Sequence, residues 1–286
     1  IQIDHSAAAI GRHVQVDVGI VSDTIQALND LFPLLQQKSD DRFLKSCLKH
    51  YKSSRSQLDA LAEINPKSKK IHPQALVKII SDLADEDTIF SCDVGTPTLW
   101  SARYLEMNGK RRLIGSFNHG SMANAMAMAL GAQSTNKKRQ VIAFCGDGGF
   151  SMLMGDLLTL KPYDFDLKIV ILNNQSLGFV DMEMKAAGFV SDSTKLVNPS
   201  FADIGRACGI ESDIVIDSDE LNDKISSLLN HDGPALLEVM SDKLELSMPP
   251  TINAKEIKGF SMYALKAIYN GRGNELIEIA KVNLFR

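Results

Sequence analysis

Short apolar segments alternate with helix-length segments over most of the sequence after residue 72, and this alternation limits the possible folds more than any other feature. Residues 141–144 and 168–172 are almost wholly apolar, as strands are when both faces of a sheet are covered. Further strands are predicted at 88–93, 112–116, 210–216 and 235–239, and helices at 73–84, 98–106, 121–133, 151–160, 201–208 and 220–229. The pattern predicts an α/β fold whose parallel sheet has helices on both faces.

Four segments are distinguished along the chain. Residues 1–48 are predicted to be the end of another α/β domain, 49–71 a linker, 72–244 the sheet domain and 245–286 an amphipathic tail. A polar helix is predicted within 36–63, and an earlier helix is predicted to start at Ser22-Asp23-Thr24, where serine or aspartate can cap it. The chain starts inside a predicted strand, so we expect it to be the C-terminal piece of a longer polypeptide.

The composition is that of an ordinary globular protein. Hydrophobic residues make up 44% and charged residues 23% of the 286 residues, and the net charge is −4. Such a weakly acidic chain argues against nucleic acid as the main partner, because binding of nucleic-acid phosphates needs clustered lysine and arginine. No apolar run reaches the ~18 residues of a membrane span, and no signal peptide is evident. The four cysteines are far apart, which favours buried thiols in a reducing compartment over disulfides or a zinc site.

A glycine-rich turn with one acidic residue follows the apolar strand 141–144. Its sequence is Cys145-Gly146-Asp147-Gly148-Gly149-Phe150. Glycines let the backbone approach a ligand closely, and the free N–H groups of a following helix suit phosphate. Because a carboxylate by itself repels phosphate, Asp147 indicates a divalent cation between the two.

Two asparagines end the next predicted strand, 168–172. Neighbouring parallel strands joined by one helix have their carboxyl ends side by side, so Asn174 is expected to lie beside Asp147. The side-chain oxygen of Asn174 and the backbone carbonyl of Ser176 are ligands of the kind that magnesium prefers. The sequence therefore predicts a magnesium site formed by Asp147, Asn174 and Ser176 and shared with a diphosphate group.

The order strand, Gly-Asp-Gly-Gly, helix, strand, Asn-Asn resembles the diphosphate-binding motif of thiamine-diphosphate-dependent enzymes. The preceding residues are also similar, with Lys137 where the family usually has proline. Gly120 and Met122 match a Gly-x-Met tripeptide that supports the middle of the cofactor in that family. Taken alone, Met122 would be interpreted as a core residue of a helix; beside the Gly-Asp-Gly turn, the cofactor role is favoured.

The segment after Asn174 resembles the pyruvate oxidase branch of the family, most closely its quinone-linked bacterial members. In that branch Val180 is expected near the thiazolium ring, and Phe179 by the reacting centre on the path of electrons to the flavin. These two are the predicted catalytic residues. The resemblance implies thiamine diphosphate contacts at Gly120, Ser121, Met122, Asp147, Gly148, Gly149, Asn174, Gln175, Ser176, Leu177, Gly178, Phe179 and Val180.

The first residues resemble the end of the FAD-binding middle domain of the same family. Residues 1–6 resemble the strand whose aspartate contacts the adenosine part of FAD. Residues 21–24 resemble a second segment that contacts FAD. Ser6 and Ser22 depart from the residues that relatives usually have. The FAD contacts that the resemblance implies are Asp4, His5, Ser6, Asp23 and Thr24.

The tail contains two amphipathic helical segments, 254–270 and 274–285. A generic tail of this kind is expected to pack on its own domain. The resemblance adds a second expectation, that the tail binds membrane lipid, because a quinone-linked enzyme must reach ubiquinone dissolved in the bilayer.

The resemblance implies oxidative decarboxylation of pyruvate to acetate and CO2, with magnesium and thiamine diphosphate, and electron transfer through FAD to ubiquinone. The implied protein is a homo-oligomer, at least a dimer and expected to be a tetramer, that is cytoplasmic and peripheral on the inner face of the cell membrane. In the family, a glutamate from another domain of a partner chain activates the cofactor, so this chain alone is expected to be inactive. Two alternatives stay open: an acetolactate synthase-like carboligase or 2-oxo acid decarboxylase, and a lipid-binding regulatory fragment without catalysis.

Overall fold

The structure, a computed structural model, describes residues 1–66, 68–245 and 253–284. The chain divides into two compact units, Ile1–Ser56 and Gln57–Arg286. In the first unit, strands β1 (Gln2–Asp4) and β2 (Gly19–Val21) pair in parallel, and helix α1 (Thr24–Leu31) follows. The Asp23 carboxylate accepts hydrogen bonds from the first N–H groups of α1, which confirms the predicted helix start.

Helix α2 (Arg42–Leu61) contains the boundary between the two units. It lies within the helix predicted at 36–63. Residues 49–61 of the predicted linker are therefore helical, and the described stretch without helix or strand is limited to 62–66 and 68–70.

The second unit is built on a six-stranded sheet in which every paired strand is parallel. The spatial order is β4-β3-β5-β6-β8-β7. The strands are β3 (Ile89–Cys92), β4 (Arg112–Ile114), β5 (Val141–Gly146), β6 (Leu167–Asn173), β7 (Glu211–Val215) and β8 (Ala235–Met240). All six predicted strands are confirmed, with shifts of one or two residues at most of their ends.

Helices cover both faces of this sheet. They are α3 (Pro73–Leu83), α4 (Thr96–Tyr104), α5 (Asn124–Thr135), α6 (Asp147–Leu153), α7 (Leu157–Leu160), α9 (Phe201–Ala207) and α10 (Leu221–Asn230). A further helix, α8 (Gly178–Ala186), follows β6 and contributes no residue to the two apolar layers of the core. Successive strand side chains point to opposite faces, so Ile142 packs in one apolar layer and Val141 in the other. The first layer includes Leu76 of α3, and the second includes Met126 of α5. The predicted fold class is confirmed.

Two predicted helix starts are wrong, and both lie at the carboxyl edge of the sheet. The helix predicted from residue 121 begins only at Asn124, because Ala123 is in the left-handed region with φ of 62°. The helix predicted from residue 151 begins earlier, at Asp147, and a short 3₁₀ turn separates it from α7. An acidic residue in the first turn interacts favourably with the helix dipole, which explains why the glycine-rich turn is already helical.

The tail forms a hairpin of α11 (Ala254–Tyr269) and α12 (Gly273–Leu284). A Cβ on Gly259 would lie 1.8 Å from the carbonyl oxygen of Ala186, so α11 packs directly against the end of α8. Lys185 of α8 pairs at 3.0 Å with Glu275, which also accepts a hydrogen bond from Tyr263. The tail therefore packs on its own domain, as predicted for a generic tail. Residues 246–252, 285 and 286 of the predicted segment lie outside the described residues.

Candidate functional site

The predicted site residues converge at the carboxyl edge of the sheet, on the central strands. Gly146, the last residue of β5, pairs with Leu172 of β6, so the two strands end side by side. The helix α6 starts with Asp147, and the turn containing Asn174 follows β6 directly. The predicted adjacency of Asp147 and Asn174 therefore follows from the strand register.

Asp147 is buried, with 3% of its surface exposed. Its Oδ1 accepts a hydrogen bond of 2.9 Å from the N–H of Gly148, and its Oδ2 accepts one of 2.8 Å from the Asn198 amide. The nearby backbone N–H groups of Gln175 and Ser176 also favour the charged form of this carboxylate. These partners are neutral, and no lysine or arginine of the described residues forms an ion pair with Asp147. Burial raises the pKa of the carboxyl, against the opposing effect of these donors.

The turn after β6 brings backbone and side-chain oxygens next to Asp147. Asn174 Oδ1 accepts a hydrogen bond of 3.0 Å from the N–H of Ser176, and the carbonyl of Ser176 accepts one of 2.8 Å from Gly178. Gln175 has a positive φ of 55°, which is a strained conformation for a residue with a side chain. Both oxygens keep a second lone pair for a ligand.

A second segment pins this turn in place, which explains how the strain is maintained. The N–H of Leu177 donates to the carbonyl of Thr194 at 2.8 Å, and the N–H of Leu196 donates to the carbonyl of Gln175 at 2.9 Å. Ser176 and Lys195 form an antiparallel bridge. Residues 194–202, called the backing segment below, thus hold the turn through backbone hydrogen bonds.

Gly120, Ser121 and Met122 form a turn before α5 and reach the same edge. Gly120 has a positive φ of 67°, and its N–H donates to the carbonyl of Ser116 at 2.7 Å. A Cβ added to Gly148 would lie 3.3 Å from Cε of Met122 and 2.9 Å from Cδ2 of Leu177. Met122 is therefore partly exposed beside the start of α6, and the structure does not place it in the core.

Asp93, to which the sequence analysis assigned no role, connects the two parts of the site. Its Oδ1 accepts a hydrogen bond of 2.9 Å from the N–H of Ala125, and its Oδ2 accepts one of 3.0 Å from Gly146. A Cβ on Gly149 would lie 2.2 Å from the same Oδ2. Burial raises the pKa of Asp93, which is 3% exposed. The carboxylate thus ties the start of α5 to the end of β5.

Asn198 and Glu238 were also missed by the sequence analysis. They have no motif of their own, and Asn198 lies in an irregular segment. The only signal available was position, since Glu238 is an ionisable residue inside the apolar strand β8. A buried acid in a strand of this kind indicates a hydrogen-bonded role.

Phe179 and Val180, the predicted catalytic residues, lie in the first turn of α8, directly after the Asn174 turn. They are 37% and 43% exposed, so both side chains reach the surface at this edge. Their predicted roles next to the reacting centre remain predictions.

The residues predicted to contact FAD lie in the first unit. Asp4 ends β1 and pairs with Val21 of β2, so Asp4 and Asp23 come together at one edge of this small sheet. Asp4 Oδ1 accepts a hydrogen bond from the N–H of Ser6 at 2.8 Å, and Asp23 caps α1. Both aspartates thus have local structural roles, and FAD binding stays a prediction.

The donor set fits magnesium with a diphosphate. A buried carboxylate with neutral donors is stabilised when a cation approaches, and hard oxygen ligands select magnesium. Among the described residues, no group of three or more His, Cys, Asp or Glu side chains is arranged to hold a metal ion. Such an arrangement is not needed where phosphate oxygens complete the coordination. The first turn of α6 contains Gly148 and Gly149, and the N-terminal turn of a helix suits an anion; the Gly148 N–H itself already donates to Asp147 Oδ1.

The raised pKa of Asp147 predicts how the stability of the ligand-free protein depends on pH. The folded state holds this proton more tightly than the unfolded state, so the contribution to the free energy of unfolding falls as pH rises from the ordinary pKa of 3.8 through the raised folded value. Above that window the loss is complete. Asp147→Asn should remove this pH-dependent contribution, so that its effect on the free energy of unfolding no longer varies with pH. Urea unfolding at a series of pH values across this range, with chelator present, measures the difference. Identical pH profiles for both proteins would contradict the assignment.

The chain matches the family described as thiamine pyrophosphate enzyme, C-terminal TPP binding domain, over residues 93–239. This range includes Asp93, the Gly120 turn, Asp147 and the Asn174 turn. Every residue predicted here to bind thiamine diphosphate or magnesium therefore lies inside the matched region.

Individual relatives point the same way. A Bacillus subtilis (strain 168) protein, YdaP, named for thiamine pyrophosphate, is 33% identical over 281 residues, which is 98% of this chain and 48% of the relative. The large subunit of acetolactate synthase from Lactococcus lactis is 32% identical over 250 residues, 86% of this chain and 42% of the relative. The large subunit of acetolactate synthase isozyme 2 from Escherichia coli K12 is 29% identical over 251 residues, 87% and 44% of the two chains. The chain spans about half the length of the curated relatives it matches.

One further finding concerns the membrane. Within residues 1–66, 68–245 and 253–284, no helix has both the length and the apolar character needed to cross a bilayer.

Proposed function

Because the chain belongs to the thiamine pyrophosphate enzymes and carries their C-terminal cofactor-binding domain, we propose that it is the cofactor-binding part of an enzyme that decarboxylates a 2-oxo acid. The observation that carries the proposal is the buried Asp147 carboxylate, which receives only neutral donors and meets the Asn174 turn. Thiamine diphosphate supplies the electron sink needed when carbon dioxide leaves such an acid.

The residues of this chain bind and orient the cofactor. Asp147, Asn174 and the Ser176 carbonyl would hold magnesium, and the first turn of α6 would receive the diphosphate. Met122 and Leu177 both lie next to Gly148 and form an apolar surface on which the middle of the cofactor would pack.

For the whole enzyme, we propose carboligation or simple decarboxylation of the acetolactate synthase type. Relatives from bacteria, an archaeon and plants are named as acetolactate synthases, which supports this proposal. These names favour the carboligase or decarboxylase alternative of the sequence analysis over pyruvate oxidation, because none of these relatives is named as a pyruvate oxidase. The acceptor and the choice among 2-oxo acids depend on residues outside this chain's site.

Pyruvate oxidation with FAD and ubiquinone is the second candidate, and two observations favour it. Asp4 ends β1 and Asp23 follows the end of the paired strand β2, so the residues that resemble FAD contacts lie at the same end of this small sheet. The tail helix α11 exposes Ile257, Leu265 and Ile268, which suits contact with lipid at the membrane face. In this candidate the protein is an oligomer that docks peripherally on the inner face of the cell membrane.

Product analysis on the full-length protein tests these proposals. The protein is supplied with pyruvate, thiamine diphosphate and magnesium, with and without a redox dye. We expect acetolactate or acetaldehyde to form at the same rate with and without the dye. Acetate formed in proportion to reduced dye would support the second candidate, and turnover of neither kind by a protein that binds the cofactor would overturn both.

A further inference from the structure

A chain of three side chains connects Asp147 to the far side of β6. The Asn198 amide nitrogen donates to Asp147 Oδ2 at 2.8 Å and to Asn173 Oδ1 at 2.9 Å. The Asn173 amide nitrogen in turn donates to Glu238 Oε1 at 2.7 Å. Asp147, Asn173 and Glu238 are 3%, 2% and 1% exposed. These hydrogen-bonded side chains, called the relay below, are buried at Asp147, Asn173 and Glu238 and partly exposed at Asn198.

Glu238, at one end of the relay, determines which group donates in each of its hydrogen bonds. Glu238 Oε2 accepts a second hydrogen bond, of 2.9 Å, from the N–H of Ala202, so Glu238 acts as acceptor at both oxygens. Asn173 must then turn its nitrogen to Glu238 and its oxygen to Asn198. Asn198 consequently presents N–H donors, and only donors, to both of its partners.

The relay also links the two halves of the predicted metal site. Asn173 Oδ1 accepts from the N–H of Gln175 at 3.2 Å, so one amide contacts the β6 turn as well as Asn198. Asn198 belongs to the backing segment, whose Thr194 and Leu196 hold the same turn. Asp147 and the Asn174 turn are thus positioned by one common support.

We propose that Asn198 is the positioning residue of the magnesium–diphosphate site. By donating to Oδ2 it fixes the rotation of the Asp147 carboxylate, and through Asn173 it fixes the distance of that carboxylate from the Asn174 turn. The inference rests on the proposed function, since it concerns how this chain holds the cation. Partners of metal-ligating carboxylates commonly change metal affinity by ~10–100-fold when they are removed.

The test is a magnesium titration of the 286-residue chain at saturating thiamine diphosphate, with binding measured by calorimetry. Asn198→Leu keeps roughly the side-chain volume without any donor, so it separates donation from packing. We expect the magnesium concentration at half-saturation to rise by about 10–100-fold in Asn198→Leu. Asn198→Ser, which keeps one O–H donor, should recover part of that loss.

Asn108→Ala is the matched control. Asn108 makes three side-chain hydrogen bonds, to Glu86, Lys110 and Arg111, in the loop before β4 at the opposite end of the strands. We expect this variant to lose stability in urea but to keep the wild-type magnesium midpoint. A merely structural role for Asn198 predicts the same behaviour for Asn198→Leu.

The outcomes separate the two claims. If the wild-type chain shows no magnesium-dependent binding of thiamine diphosphate, both the proposed function and the inference about Asn198 are wrong. If the wild type binds and Asn198→Leu has the wild-type midpoint, the inference alone is overturned. If Asn198→Leu does not fold, the comparison of Asn198→Ser with the wild type decides: an unchanged midpoint contradicts the proposal, and a raised midpoint with wild-type urea stability supports it.

Discussion

Asp147→Ala is expected to lower the affinity for thiamine diphosphate with magnesium by about 100-fold or more. The carboxylate is the charged group of the predicted site, and it lies where the first turn of α6 meets the Asn174 turn. Without this carboxylate, the cation loses its anionic protein ligand, and the diphosphate loses the bound cation that would connect it to the chain. Calorimetric titration of wild type and variant with the cofactor and magnesium measures the difference.

Asp223→Ala is the control for this change. Asp223 is an exposed aspartate in the first turn of α10, so its removal alters the net charge and a helix start in the same way. We expect its titration to match the wild type. The Asp147→Ala protein should also stay folded, because the removed carboxylate is one whose ionisation burial opposes. Equal binding by Asp147→Ala and wild type would refute the metal assignment.

Gly149→Ala is expected to destabilise the protein by about 1–3 kcal/mol, although alanine favours helices over glycine. The new Cβ would lie 2.2 Å from Asp93 Oδ2 and 3.0 Å from the backbone nitrogen of Ala123. Asp93 must move, and it then loses hydrogen bonds to Ala125 and Gly146 that join α5 to β5. Urea unfolding measures the cost.

Gly131→Ala provides the matched comparison, since Gly131 also lies inside a helix. A Cβ there meets nothing within 4 Å, so this variant should be more stable than the wild type by about 0.5–1 kcal/mol. The two substitutions are chemically identical and should differ in sign. Stabilisation by Gly149→Ala would show that Asp93 is not held as the structure places it.

The strand pattern made the sheet predictable, because the central strands are largely apolar and short strand segments alternate with helix-length segments between 88 and 239. The adjacency of Asp147 and Asn174 was also predictable, since parallel strands joined by one helix end together. Both helix starts next to the site were misplaced. Ala123 takes a left-handed conformation and Asp147 is already helical, and local propensity indicates neither.

Asp93, Asn198 and Glu238 could not be found from the sequence. Their roles come from hydrogen bonds between residues far apart in the chain, such as Asp93 with Gly146 and Asn173 with Glu238. Periodicity and motif spacing carry information about neighbours along the chain, and only the fold brings these partners together. The predicted metal ligands had a motif, whereas Asp93, Asn198 and Glu238 had none.

The most direct measurement of the central claim is the position of a bound cation. Crystals of the chain grown with thiamine diphosphate and manganese in place of magnesium would locate the metal by its anomalous scattering. We expect one strong peak about 2.1–2.2 Å from a carboxylate oxygen of Asp147 and close to the Asn174 side-chain oxygen. A peak elsewhere in the protein, with Asp147 bonded only to its present donors, would contradict it.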